Sequence, residues 1–217
     1  QLKNQGLISG SDGRKMSKRW GNVINPDDVI ASYGADTLRV YEMFMGPFEQ
    51  GASWSTESMI GSRRFLDRVW KLAGKIGKVK TDEVVENTLH KAIKKVGEDI
   101  DQFAFNTAIS TMMVLSNEMD KLELIDRKTF EYFLRILAPF APHITEELWF
   151  SLGHNQSIHL ETWPTYDKTK LQDKIVTIVV QVNGKVRASF EIEAGIKQSE
   201  VENLALEQEM VKKWLVG

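Results

Sequence analysis

The spacing of apolar residues predicts that most of this chain is helical. Between about residues 57 and 79, apolar side chains recur every three or four residues, which is the period of one helix face. Glycines at 74 and 77 weaken the last turns of this predicted helix. The apolar positions are Phe65, Val69, Leu72, Ile76 and Val79.

Two shorter helices are predicted before it. Asn25 is a typical N-cap, and Pro26 occupies the first helical position. Gly34 ends this helix, and a second one runs from about 36 to 45, where Gly46-Pro47 stops it.

Three further helical segments follow the long helix, and Pro142 opens a short continuation of the third. The connections between them are short, which favours an antiparallel helical bundle. The predicted core positions are Val85, Leu89, Ala92, Val96, Ile100, Phe105, Ile109, Met112, Met119, Leu122, Phe130, Phe133, Leu134, Leu137, Ile144, Leu148, Trp149 and Leu152.

The period changes near the C-terminal end. Residues 175–182 are rich in β-branched side chains, Asn183-Gly184 is a strong hairpin-turn signal, and residues 185–192 alternate. Residues 199–202 match a capping box, which predicts a helix reaching Trp214. Because an isolated hairpin is marginally stable, either this helix covers it or further strands follow.

Composition is that of an ordinary globular protein, with 217 residues, 42% hydrophobic and 27% charged. The net charge of −2 means that any surface for nucleic acid must be local. There is no cysteine, so disulfides and thiolate metal sites are excluded, and the four histidines lack metal-ligand spacing. No apolar run reaches the length of a membrane span, and we expect a cytoplasmic protein.

A stripe of basic residues lies one position before the apolar stripe of the long helix. Few acidic residues share this face in the sequence, so the stripe is a candidate for contact with RNA phosphates, with strong salt dependence. The alternative is a solvated helix face whose basic residues have partners elsewhere. The basic stripe consists of Arg64, Arg68, Lys71, Lys75 and Lys78.

The segment Lys15-Met16-Ser17-Lys18-Arg19 follows a polar stretch that contains Gly10 and Gly13. Two lysines on a mobile loop can close their ammonium groups on a polyphosphate, and glycines let the backbone approach a ligand. The alternative is a solvated basic loop. We name residues 15–19 the lysine loop; no other segment offers a site for bond-making.

The lysine loop resembles the Lys-Met-Ser-Lys-Ser loop of class I aminoacyl-tRNA synthetases. Residues 21–28 and 33–39 are similar to the sequence that follows this loop in the leucyl, isoleucyl and valyl enzymes. Four further segments resemble the leucyl enzymes in particular: 41–47, 105–110, 137–144 and 180–187. The resemblance therefore covers essentially the whole chain.

The resemblance implies a mainly α fold in three parts. Residues 1–55 would be the end of a catalytic region, with the lysine loop and a stem-contact fold. Residues 56–170 would be the helical anticodon-binding-type domain, and 171–217 an incomplete small α+β C-terminal domain that contacts tRNA.

The resemblance also implies ATP-dependent activation of leucine and its transfer to tRNA(Leu), with Mg²⁺ accompanying ATP and no metal site in this chain. By the resemblance, Lys15 and Lys18 would be catalytic, and ATP would contact Lys15, Met16, Ser17, Lys18 and Arg19. The implied tRNA-binding residues are Arg64, Arg68, Lys71, Lys75, Lys78, Lys185 and Arg187.

Two departures from the family pattern matter. Arg19 stands where the family has serine, and Trp20 stands where it has a basic residue. No His-Ile-Gly-His motif occurs, and neither the first half of the nucleotide-binding fold nor an editing domain is present. We therefore expect a fragment that needs an N-terminal catalytic portion and is inactive alone. The alternative is a stand-alone RNA-binding or assembly module.

Overall fold

The computed structural model describes residues 2–171, 175–193 and 195–215. Contacts divide the chain into two units, with the division after Asp167. The first unit is helical apart from short strand pairs, and the second contains a hairpin and two helices. The expectation of a mainly α protein is thereby confirmed.

The N-terminal part of the first unit contains two short strands and two helices. Strand β1 (Ile8–Ser9) pairs in parallel with β2 (Ala52–Ser53), while α1 spans Pro26–Tyr33 and α2 spans Ala35–Phe44. The side chain of Asn25 caps α1 by accepting a hydrogen bond from the Asp27 amide, as predicted.

The rest of this unit contains five α-helices among its described residues: α3 (Thr56–Leu72), α4 (Glu83–Asp101), α5 (Phe105–Asp120), α6 (Arg127–Leu137) and α7 (Pro142–Ser151). They enclose the main core, in which Phe130, Phe133 and Met112 are fully buried. Most predicted core residues lie in it, whereas Ile100, Phe105, Leu122, Ile144 and Leu152 are half-buried at its edge. The predicted bundle is confirmed.

The long helix ends earlier than its apolar period predicted. After Leu72 the chain makes one 3₁₀ turn and then strand β3 (Ile76–Gly77), which pairs in parallel with β4 (Ile125–Asp126). A side chain at Gly77 would lie 3.2 Å from Leu124, so glycine permits this close approach. The prediction of a helix to residue 79 was therefore wrong, and Lys75 and Lys78 do not extend the α3 face.

Asp36 and Arg39 of α2 join the N-terminal part to the bundle. Helix α7 has no side-chain cap of its own, and the buried carboxylate of Asp36 accepts hydrogen bonds from the amides of Ile144 (2.7 Å) and His143 (3.4 Å). Arg39 donates to the carbonyls of Pro139 and Phe140. Both contacts satisfy backbone groups at helix ends, which otherwise lack partners.

The second unit contains the predicted hairpin, with β5 (Ile175–Val182) and β6 (Lys185–Glu193) antiparallel. Asn183 and Gly184 both have positive φ (52° and 74°), as this turn requires. Two helices follow, α8 (Gln198–Glu207) and α9 (Glu209–Leu215).

The predicted capping box is wrong. Lys197 takes the extended cap conformation, so Ser199 lies inside α8, and no side chain caps this helix. The predicted single helix to Trp214 is also interrupted, because Gln208 has extended backbone angles between α8 and α9.

Candidate functional site

A tight backbone turn leads into the lysine loop. The Gly10 amide donates to the Arg14 carbonyl (2.8 Å), and Gly13 has a φ of 75° that favours glycine. A Cβ atom on Gly10 would lie 2.8 Å from both the side-chain nitrogen of Asn22 and a carboxylate oxygen of Asp12. A side chain on Gly10 would therefore displace Asn22 and Asp12 from these positions behind the loop.

Asn22 holds the lysine loop from behind. Its side-chain oxygen accepts a hydrogen bond from the Ser17 amide (2.9 Å), and its nitrogen donates to the Asp12 carboxylate (3.2 Å). Since one side chain contacts both the middle of the loop and the turn before it, Asn22 fixes their relative positions. Sequence reasoning did not select Asn22; the available signal was a short amide side chain that can bond nearby backbone.

Asp12 is ionised more easily than an ordinary aspartate. The backbone N–H of Arg14 donates to it, and together with the Asn22 amide and the Arg14 charge it lowers the pKa of Asp12 below its usual value of 3.8. The carboxylate that anchors Asn22 is therefore charged at neutral pH.

The two lysines of the loop point outward. Lys15 and Lys18 are exposed, and within the described residues neither makes an ion pair with an acidic side chain. Ser17 serves the loop itself, because its hydroxyl accepts from the Arg19 amide (3.2 Å) and caps the 3₁₀ turn Lys18–Trp20. The exposed ammonium groups are available for an anionic ligand.

Met16 and Arg19 are placed differently from their lysine neighbours. Met16 is half-buried against a small apolar cluster that includes Val29 and Leu38, so its side chain anchors the loop. The Arg19 guanidinium lies 5.3 Å from the Trp20 ring centre, and that of Arg14 lies 5.2 Å from it. Trp20 thus receives two cation–π contacts at the site of the departure from the family pattern.

The basic stripe is partly neutralised. Lys75 forms a 2.8 Å ion pair with Asp120 of α5, and Arg68 pairs with the same carboxylate at 3.8 Å and hydrogen-bonds Asn117. The hydrogen bond from Lys75, aided by the charges of Lys75, Arg68 and Lys71, lowers the pKa of Asp120. The sequence-based prediction concerned only acids on the same helix face, whereas Asp120 reaches the stripe from α5, a distant part of the chain.

The other three stripe residues have no such partner. In the part of the chain that the structure describes, no acidic side chain forms an ion pair with Arg64, Lys71 or Lys78. The available positive charge of the stripe therefore lies on these three residues.

In the second unit, the two candidate RNA-binding residues differ. Lys185 is exposed at the start of β6. The Arg187 guanidinium lies 3.7 Å from the ring centre of Trp214, and its Nε has no hydrogen-bond partner among the described residues. Arg187 thus packs on an aromatic face.

Two negative findings apply to residues 2–171, 175–193 and 195–215. None of their helices is both long and apolar enough to cross a membrane. No group of three or more histidine, aspartate or glutamate residues could hold a metal ion.

Two family models match parts of the chain. Residues 82–202 match the family described as the anticodon-binding domain of tRNA ligase, and residues 1–55 match class I tRNA synthetases (I, L, M and V).

Solved structures that are similar to the chain include the following two. One is the ternary complex of Agrobacterium radiobacter K84 agnB2 LeuRS with tRNA and LeuAMS, at 30% identity and a TM-score of 0.79 over 98% of this chain. This chain covers 30% of that LeuRS. The other is Mycobacterium tuberculosis methionyl-tRNA synthetase with methionyl-adenylate, at 18% identity and a TM-score of 0.54, covering 69% of this chain and 38% of that one. The second likeness concerns the fold alone.

Proposed function

Since the chain belongs to the family of anticodon-binding domains of tRNA ligases, we propose that it is the C-terminal part of a leucine–tRNA ligase. Such an enzyme activates leucine with ATP and transfers it to tRNA(Leu). The observation that carries the proposal is the likeness to LeuRS over 98% of the chain, which includes the lysine loop with its two exposed ammonium groups.

In the activation step, a leucine carboxylate oxygen attacks the α-phosphorus of ATP. The bond from this phosphorus to the β-phosphate bridging oxygen breaks, and pyrophosphate leaves with the bonding electrons. Lys15 and Lys18 would neutralise the charge that grows on the leaving phosphates. Such stabilisation speeds the reaction only if it is stronger in the transition state than in the bound substrate.

Asn22 and Asp12 support this role indirectly. Because Asn22 holds the Ser17 amide, it limits the positions that the lysines on either side of Ser17 can take. Preorganised charges avoid a reorganisation cost during reaction. Mg²⁺ is proposed to arrive with the phosphates of ATP.

The basic residues of both units are proposed to contact the tRNA backbone. Arg64, Lys71 and Lys78 would contribute most, because Arg68 and Lys75 already share Asp120. Lys185 and Arg187 would add contacts from the second unit. Phosphate contacts release counterions, so affinity should fall steeply with salt.

The isolated chain is proposed to be inactive, because it carries only the phosphate side of the ATP site. Its partner would be an N-terminal portion that supplies the rest of the nucleotide site and the editing region. The expectation of a cytoplasmic location belongs to the same proposal.

The test is Lys18→Ala in the longest natural form of the protein, measured by leucine-dependent exchange of pyrophosphate into ATP. Loss of one preorganised charge should lower the rate about 10²- to 10³-fold. Lys94→Ala is the matched control, because Lys94 pairs with Glu98 on α4, outside the loop. An unchanged rate for Lys18→Ala would refute the proposed role.

A second candidate is an RNA-binding or assembly module without catalysis. The observation that favours it is Trp20 with its two guanidinium contacts, where the family pattern has a basic residue. A His-Ile-Gly-His motif upstream in the same gene, together with leucine-dependent exchange by the full protein, would exclude this candidate.

A further inference from the structure

A groove of about 560 Å³ lies between the N-terminal turns of α2 and α7 and one face of α3. Its volume is within the range of roughly 300–1,000 Å³ that is typical of small-molecule sites. Leu66 and Ile144 supply apolar surface, and Trp70 forms a wall.

Trp70 is the unusual residue of this groove. Large aromatic residues are usually well buried, yet 52% of the Trp70 surface is exposed. Among the described residues, no aromatic ring stacks on it and no cation lies over its face. Its indole is therefore half-exposed and makes no ring or cation contact within the described residues.

Two acidic and two basic side chains line the groove. The acids have partners within the protein, since Asp36 accepts hydrogen bonds from the amides of α7 and Asp67 pairs with Arg63 at 2.8 Å. Lys71, next to Trp70 in the chain, acts on Asp120 by its charge but forms no ion pair in the described ranges. Its ammonium group therefore lies beside the indole without a directly paired carboxylate.

We propose that this groove holds one unpaired nucleotide of the bound RNA, with its base stacked on Trp70 and its phosphate bound by Lys71. The inference rests on the proposed function, because it assumes that RNA reaches this face of α3. The proposed function includes contacts to RNA phosphates only, whereas this inference adds a binding site for an unpaired, unstacked base.

The combination of side chains favours a nucleotide over a peptide. Proteins that bind unpaired nucleic acid place a cation for the backbone beside an aromatic ring for the base. Stacking accepts any base, so the groove should favour unpaired over paired RNA without strong sequence preference.

The test compares two RNAs binding to the chain: a short perfectly paired duplex, and the same duplex with one extra unpaired nucleotide. The unpaired nucleotide should tighten binding about 10-fold. Trp70→Leu should abolish this preference, whereas Trp70→Phe, which keeps a ring, should retain most of it. Lys71→Gln should reduce the preference and lower the salt slope by about 1.

Phe150→Leu is the matched control, because Phe150 is equally exposed (50%) on α7 but does not line the groove. It should leave both affinities unchanged. A preference that survives in Trp70→Leu would overturn the groove assignment.

The two proposals fail differently. Equal binding of the two RNAs by the unaltered chain, with strong salt dependence, would refute the groove site and leave the tRNA-binding surface standing. Absence of binding to either RNA would refute both, whereas the role of Lys18 is tested separately by pyrophosphate exchange.

Discussion

The lysine loop and the helical bundle are stabilised in different ways. The loop is held by polar contacts from Asn22 and Asp12 and by the half-buried side chain of Met16, and its lysines are exposed. The bundle is held by apolar side chains such as Phe130 and Phe133, which have no exposed surface. Residues that set the stability of the bundle and residues that set the chemistry of the loop are therefore separate, and substitutions should distinguish them.

The largest effect is expected in the bundle core. Phe133→Ala should lower the free energy of unfolding by about 3–5 kcal/mol, because it removes buried contacts and leaves a cavity. Urea denaturation of the chain measures this loss. Phe150→Ala, at an exposed position, should cost much less; equal losses would contradict the assignment of the core.

A smaller loss is expected where the N-terminal part meets the bundle. Asp36→Ala removes the acceptor for the amides of Ile144 and His143, and an unsatisfied buried group costs about 1–3 kcal/mol. Hydrogen exchange should show faster opening at the start of α7. Asp36→Asn keeps one acceptor oxygen and should lose less; full protection of these amides in Asp36→Ala would refute the proposed cap.

Asn22→Ala should separate chemistry from stability. The bundle does not depend on Asn22, so the free energy of unfolding should change by less than about 0.5 kcal/mol. Leucine-dependent pyrophosphate exchange by the full protein should fall about 5- to 10-fold, because losing one hydrogen bond of about 1 kcal/mol loosens the loop.

Asn22→Asp provides the matched comparison for this loop. It keeps the acceptor for the Ser17 amide but places a negative charge beside Asp12, so the exchange rate should also fall. A normal rate in both variants would show that the loop does not need this anchor.

The smallest effect concerns acid pH. The pKa of Asp120 is lowered by Lys75, so its ion pair adds stability that is present above the unfolded value of 3.8 and is lost as pH falls through the folded value. Asp120→Asn should remove this part of the pH dependence in urea denaturation, and added salt should weaken it in the unaltered chain. Asp101→Asn, at an exposed position, is the control; an identical change there would refute the role of Asp120.

Local patterns predicted the helices well because their causes lie close together in sequence. Asn25 and Pro26 favour the start of α1 through local contacts, which do not depend on distant residues. Asn183-Gly184 forms its turn because both residues adopt positive φ readily. The predicted end of α3 was wrong. The apolar period continues past Gly74 and Gly77, but in the structure Ile76–Gly77 forms a strand that pairs with β4. The capping box failed because Lys197, not Ser199, takes the cap conformation.

The candidate site was predictable only in part. The lysine loop was found from its residue types and its resemblance, but the anchoring role of Asn22 depends on the folded position of its side chain. The neutralisation of Arg68 and Lys75 by Asp120 could not be predicted, because α3 and α5 come together only in the fold.

By itself, the sequence determined the order of the helices, the hairpin turn and the presence of two lysines on a glycine-rich loop, since these depend on residues within a few positions of one another. Only the tertiary structure decided which charges stay available, which side chain holds the loop, and that Trp70 and Lys71 line an open groove. The physical reason is that charge pairing and exposure depend on neighbours that packing brings from distant parts of the chain.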